Sequence, residues 1–162
     1  MKPGPKPDLL NPLHFLAFGF GSGLAPKAPG TLGTLAAVPL YWFLSPADLY
    51  WYLLVCVLVF AIGVPICGRA SSDLGVHDHS GIVWDEIAGY FVTMIAIPQS
   101  LFWATVGFML FRLFDIWKPW PISWLDRRVS GGFGIMVDDL LAGLMACGLM
   151  HLLLYMEITP LW

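Results

Sequence analysis

The sequence predicts an all-α fold: a compact helical membrane protein of about five apolar helices, with its polar loops gathered at a cytoplasmic rim. Three observations carry that prediction. First, the chain of 162 residues is 58% hydrophobic, with a mean hydropathy of +0.75. Second, only 12% of its residues are charged, about half the share of a soluble domain. Third, fourteen of its nineteen charges fall in three islands, Gly19–Thr34, Arg69–Gly89 and Arg112–Asp139. A charge kept beside hydrocarbon is costly, so grouped charges among apolar segments mark function.

Taken in order, residues 1–18 read as a Pro/Lys-rich arm without the apolar core and cleavage site of a signal peptide. Residues 19–162 then form one domain, since the length leaves no room for a second. Thr31–Leu44 reads as a short apolar helix ended by Ser45-Pro46. Leu49–Cys67 is the clearest span, uncharged and close to the roughly 20 residues a bilayer core requires. Ile87–Ile97 and Leu101–Leu113 are shorter helices joined by the hairpin Pro98-Gln99-Ser100. Leu140–Met156 is the second clear span. Short helices imply tilt or partial insertion.

If these five helices cross alternately, every Lys and Arg (positions 2, 6, 27, 69, 112, 118, 127 and 128) falls on one side. The opposite turns and the C-terminal tail hold none. The positive-inside rule places that side, and all three islands, in the cytoplasm. Trp51, Trp103 and Trp162 at one level and Trp84, Trp117, Trp120 and Trp124 at the other suit interfacial belts. A net charge of −3 argues against nucleic acid, which selects basic stripes. Cys56, Cys67 and Cys147 lack disulfide or zinc spacing and read as small buried side chains.

The first island is rich in glycine and precedes a helix, which suits close approach of backbone N–H groups to an anion. Thr31 and Thr34 can cap that helix or donate to a phosphate oxygen, and Lys27 supplies a point charge; an ordinary capped surface loop explains the same residues. In the second island Asp85 and Glu86 open an apolar helix, with Gly89 one turn on. Acidic residues in a first turn also complement the helix dipole, and adjacent carboxylates project about 100° apart. His77 and His79 read as solvated or hydrogen-bonding, because oxygen-rich surroundings suit Mg2+ better than zinc.

In the third island Arg112, Asp115 and Lys118 are spaced three apart, along one helical face if the helix persists to Pro119. Solvated ion pairs explain that spacing equally. Ser130–Gly134 reads as a second flexible loop, leading into Asp138-Asp139. Asp139 and Gly143 repeat the spacing of Asp85 and Gly89, which suggests close helix packing with converging carboxylates. Together the islands offer carboxylates for Mg2+, cations and glycine-rich loops for a phosphate, and a site that would take an amphiphile.

Four blocks carry a family resemblance: GSGLAPKAPGTLGTL, DHSGIVWDEIAG, FRLFDIWKPWPI and GGFGIMVDDLLAG, in that order across residues 21–143. They resemble phosphatidylglycerophosphatase A. The resemblance implies a Mg2+-dependent phosphatase of the bacterial inner membrane that converts phosphatidylglycerophosphate to phosphatidylglycerol, the last step of that lipid's synthesis. The family's acidic positions fall on Asp78, Asp85, Glu86, Asp115, Asp138 and Asp139, and its basic ones on Lys27, Arg112 and Lys118. Metal ligation is expected of Asp78, Asp85, Glu86, Asp138 and Asp139. Catalytic roles are expected of Asp85, Glu86, Asp115 and Asp139, and phosphate binding of Lys27, Thr31, Thr34, Arg112 and Lys118. His79 departs from the small residue expected after Asp78.

Spacings for a covalent phospho-enzyme are missing: no Cys precedes Arg by six positions, no Asp-x-Asp precedes Thr or Val, and no Ser-Gly-His occurs. Direct attack by metal-activated water is the expected route, with Asp85 or Asp115 as base. A CDP-alcohol-type phosphatidyltransferase and a non-catalytic membrane scaffold remain the alternatives, and the oligomeric state is left open.

Overall fold

The computed structural model describes residues 7–45, 48–76 and 79–156. Its elements, in order, are α1 (Pro12–Ala17), a 3-10 segment (Gly19–Leu24), α2 (Pro29–Leu44), α3 (Leu49–Leu74), α4 (Trp84–Thr93), α5 (Leu101–Trp117), α6 (Ile122–Asp126) and α7 (Gly131–Tyr155). Among the described residues every regular element is helical.

The short α4 is the axis of the molecule. From Asp85 to Thr93 all its residues are buried, and α2, α3, α5 and α7 pack around it. Ten residues rise only about 15 Å, so α4 reaches half-way through a structure whose long helices measure more than twice that. The enclosure rests on small residues. A Cβ on Gly143 would strike the Gly89 carbonyl oxygen, and one on Gly89 would lie 2.5 Å from the Phe111 ring. The spacing of Gly89 and Gly143 thus marks a close α4–α7 crossing, as the repeated acidic-small pattern implies. Buried tyrosines tie the other end, Tyr52 donating to the Phe91 carbonyl (2.8 Å) and Tyr90 to that of Ala104 (3.0 Å), which satisfies their hydroxyls in an apolar core.

Two helices among the described residues, α3 and α7, are long and apolar enough to cross a membrane. They differ in surroundings. α7 is largely enclosed, whereas α3 turns Tyr50, Trp51, Val57, Leu58 and Ile62 outward, an apolar face too large for an ordinary water-exposed surface.

Three sequence expectations are corrected by the structure. The arm expected over 1–18 ends in α1, started by Asn11 accepting from the Leu13 N–H with Pro12 at the first helical position. Ala17 and Phe18 are fully buried, and His14 stands 3.4 Å from Asp73 on α3, so residues from Pro12 onward belong to the packed domain. The flexible loop expected at Ser130–Gly134 is the start of α7, which begins nine residues before Leu140. Gly132 packs where a Cβ would strike the Val64 carbonyl on α3, so the close α3–α7 contact requires glycine there and outweighs its low helix propensity. Trp103, expected in an interfacial belt, is only 4% exposed. Trp51, Trp117, Trp120 and Trp124 are exposed as a belt requires.

Candidate active site

The N-terminus of α2, the first turn of α4, the last two turns of α5 and the third turn of α7 meet at one cleft of about 370 Å3. Its polar wall is Asp85 and Glu86 from α4, Arg112 and Asp115 from α5, Lys118 just past α5, and Asp138 and Asp139 from α7. Ser80 and the α2 cap residues Ala28, Pro29 and Gly30 complete it.

Asp85, Glu86 and Asp139 each place a carboxylate oxygen within 4.8 Å of the others. All three residues are buried. Adjacent residues on a helix diverge, yet both Asp85 and Glu86 reach Asp139, because α7 crosses α4 so closely at Gly89 and Gly143. Burial, together with the Asp139 charge beside it, pushes the Glu86 carboxyl up to about 8, while its hydrogen bond with Asp85 and the charge of Arg112 work in the opposite direction. Glu86 Oε2 and Asp139 Oδ2 are buried without a hydrogen-bond partner. Buried carboxylates this close cannot all ionise unless a cation lies among them; without one they hold a proton. The donor set, carboxylate oxygen throughout, fits a hard divalent ion such as Mg2+ rather than a soft one.

The two cations occupy different levels. Arg112 pairs with Asp115 one turn on and lies 3.7 Å from Glu86. Gly30 makes room for both side chains: a Cβ there would strike Glu86 Oε1 and approach Arg112 Nη1 to 3.1 Å. Lys118 does not continue the Arg112–Asp115 face. α5 stops at Trp117, and Lys118 takes a left-handed conformation (φ 44°). Its ammonium then bridges Asp126 of α6 and Asp138 of α7, each at 2.6 Å. Burial alone would lower the Lys118 ammonium, but its two carboxylate partners outweigh that and raise it, so it stays charged.

The structure therefore brings together Asp85, Glu86, Asp115, Asp139, Arg112, Lys118 and Asp138, but not every expected residue. Asp138 faces the cleft yet spends one oxygen on Lys118, outside the three-carboxylate group. Thr34 is fully buried and its hydroxyl donates to the Gly30 carbonyl (2.9 Å), a bond within the helix rather than one to a ligand. Lys27 is exposed and Thr31 half-buried, and neither lines the cleft. Asp78 and His77 lie outside the described residues. Sequence reasoning passed over Gly30, Ser80 and Asp126. Both Gly30 and Ser80 sit inside quoted blocks, and the close approach that needs Gly30 has no side-chain signature; Asp126 is recognisable only once α6 folds Lys118 back.

Comparison with known proteins gives one consistent answer. The family model of phosphatidylglycerophosphatase A matches residues 15–154. The chain is 49% identical to "Phosphatidylglycerophosphatase A" of Escherichia coli over 142 residues, 87% of this chain and 83% of that one. It is 48% identical to the protein of the same name from Haemophilus influenzae over 143 residues, 87% and 88% of the two chains. A relative from Bacteroides thetaiotaomicron bears the provisional name of a phosphatidylinositol-3-phosphatase and is 38% identical over 133 residues, 77% and 82% of the two chains. No solved structure matches the chain.

Proposed function

Because the chain belongs to the phosphatidylglycerophosphatase A family and is by that membership a phosphatase, we propose that it hydrolyses the terminal phosphate of phosphatidylglycerophosphate with Mg2+, at the cytoplasmic face of a bacterial inner membrane. The observation that carries the reading is the meeting of Asp85, Glu86 and Asp139 beside Arg112 and Lys118 in one cleft. Five carboxylates against two cations would repel a phosphate dianion. A bound divalent ion supplies the missing positive charge and an activated water.

In this mechanism Asp85, Glu86 and Asp139 would hold the ion. Arg112 and Lys118 draw the phosphate oxygens and neutralise charge as it builds on them. The first N–H groups of α2 carry no intrahelical bonds and add a positive dipole end behind Gly30. Asp115 stands outside the three-carboxylate group, fixed by Arg112, and is placed to take the proton of the attacking water. The water oxygen bonds to phosphorus as the bond to the glycerol oxygen breaks, and the proton returns to that oxygen.

Several features support the membrane setting. All eight Lys and Arg fall on one side if the apolar helices alternate. The exposed Trp117, Trp120 and Trp124 surround Lys118 in sequence, and Arg128 stacks over the Trp124 ring at 5.0 Å, an arrangement suited to a headgroup layer.

The test is phosphate release from phosphatidylglycerophosphate in mixed micelles, with and without chelator, run beside phosphatidylinositol 3-phosphate. Release from the first lipid that stops with chelator and returns with Mg2+ is the expected result. Release that ignores chelator would remove the metal from the mechanism, and preference for the inositol lipid would redirect the substrate.

A further inference from the structure

The geometry points to the outer seam between α2 and α5 as the track for one acyl chain of the lipid substrate, running from the charged cleft to the membrane interior. The inference rests on the lipid phosphatase reading above and adds where the apolar half of the substrate lies.

The seam is a second cavity of about 210 Å3, lined by Leu35 and Val38 of α2 and by Leu101, Ala104, Thr105 and Phe108 of α5. The cleft is walled by the same two helices one or two turns further on, through Ala28–Gly30 and through Arg112, Asp115 and Ile116. The helices run antiparallel there, since Gly30 at the start of α2 meets Arg112 near the end of α5. On α5 the lining residues of both cavities, 101, 104, 105, 108, 112, 115 and 116, fall within an arc of about 120° at the helical period. One continuous face therefore changes from apolar to charged along its length. On α2, Thr31 shares a face with Leu35 and Val38 by i, i+4 and i+7 spacing, at the level between the two cavities.

The dimensions suit an acyl chain. From Arg112 back to Leu101 the axial rise is about 16 Å, close to half of a roughly 30 Å hydrocarbon core. A lipid with its phosphate at Arg112 would have hydrocarbon beside this seam down to the bilayer midplane. Leu35 and Leu101 are 52% and 73% exposed, so the seam opens sideways to the membrane and a lipid can enter without leaving the bilayer.

A larger apolar groove exists between α3 and α7, lined among others by Leu53, Val57, Val92 and Leu144. None of its lining residues borders the cleft, and Val92 and Ile95 place it at the end of α4 away from Asp85 and Glu86. It has no charged end to seat a headgroup.

The experiment compares Leu35→Trp and Thr105→Trp, which fill the seam from exposed positions, with Val57→Trp, which fills the α3–α7 groove. On long-chain phosphatidylglycerophosphate in mixed micelles the two seam variants should lose about tenfold or more in kcat/KM, and Val57→Trp should match wild type. In parallel, a substrate with a photoreactive mid-chain group is cross-linked to the wild-type protein and the adducts are mapped. Adducts centred on residues 35–38 and 101–108 are expected. Adducts on 53–61 and 140–144, or seam variants indistinguishable from Val57→Trp, overturn the track. Wild-type protein releasing no phosphate from the lipid would instead overturn the enzymatic reading beneath it.

Discussion

Glu86 concentrates the physics of the site in one side chain. Its carboxyl is raised to about 8 by burial and by Asp139, so in the metal-free protein it holds its proton well above the usual carboxylate range. A folded-state value raised above the unfolded one stabilises fully below about pH 4.5, and that contribution is lost as pH climbs through about 8. The melting temperature in chelator should therefore fall from pH 5 to pH 8.5, and Glu86→Gln should flatten the slope. Binding of the proposed ion would expel that proton, so Mg2+ affinity, read by titration calorimetry, should tighten as pH rises through the same window. Glu86→Gln and Asp139→Asn should each cut Mg2+-dependent phosphate release by more than roughly 100-fold, since losing even an outer-shell partner costs 10–100-fold. Both variants should melt no lower than wild type in chelator, because each replaces a carboxyl whose ionised form is penalised by burial. Equal loss of activity and of folding would instead mark those carboxylates as structural.

The helices act as rulers for these side chains. α4 and α7 approach until Gly143 touches the Gly89 carbonyl, and that contact sets Asp139 one turn away against Asp85 and Glu86. Gly143→Ala should wedge the pair apart at a cost of about 1–3 kcal/mol, read by thermal melting, and should weaken Mg2+ binding although residue 143 bears no ligand. α6 has a comparable duty. Its Asp126 holds the far side of the Lys118 ammonium while Asp138 holds the near side. Asp126→Asn should raise KM for the lipid more than it lowers kcat, because Lys118 keeps its charge but loses its fixed place. Lys118→Ala should reduce both, and Lys118→Arg should restore part of the loss.

For the whole molecule, the outward apolar face of α3 supports membrane association, and the proposed orientation, with every Lys and Arg on one side, is open to a direct test. In a cysteine-free background, Asp48→Cys, at the exposed start of the long α3, should react only with a reagent added outside the cell, and Lys27→Cys or Arg128→Cys only after the membrane is permeabilised. Labelling of all three from one side would reject the orientation. Much of this was legible in the chain. Hydropathy exposed the helical composition and both long apolar helices, since a contiguous apolar stretch is a property of the chain that no folding detail can hide. Grouped charges exposed the site region, because charge beside hydrocarbon persists only where it serves a purpose, and the ordered blocks pointed to the family. What the chain concealed depended on contacts between distant residues. The helical start of α7 through three glycines needed α3 and Val129 as packing partners. The turn of Lys118 toward Asp126 and Asp138 needed α5 to stop at Trp117, and the choice of Asp139 over Asp138 as the third carboxylate needed the α4–α7 crossing. The sequence by itself determined which residues are charged, where apolar segments run and which family they belong to, because those are properties of composition and order. Only the tertiary structure decided which carboxylates converge and which are spent on lysine, because a helix sets direction along itself while its packing partner sets distance.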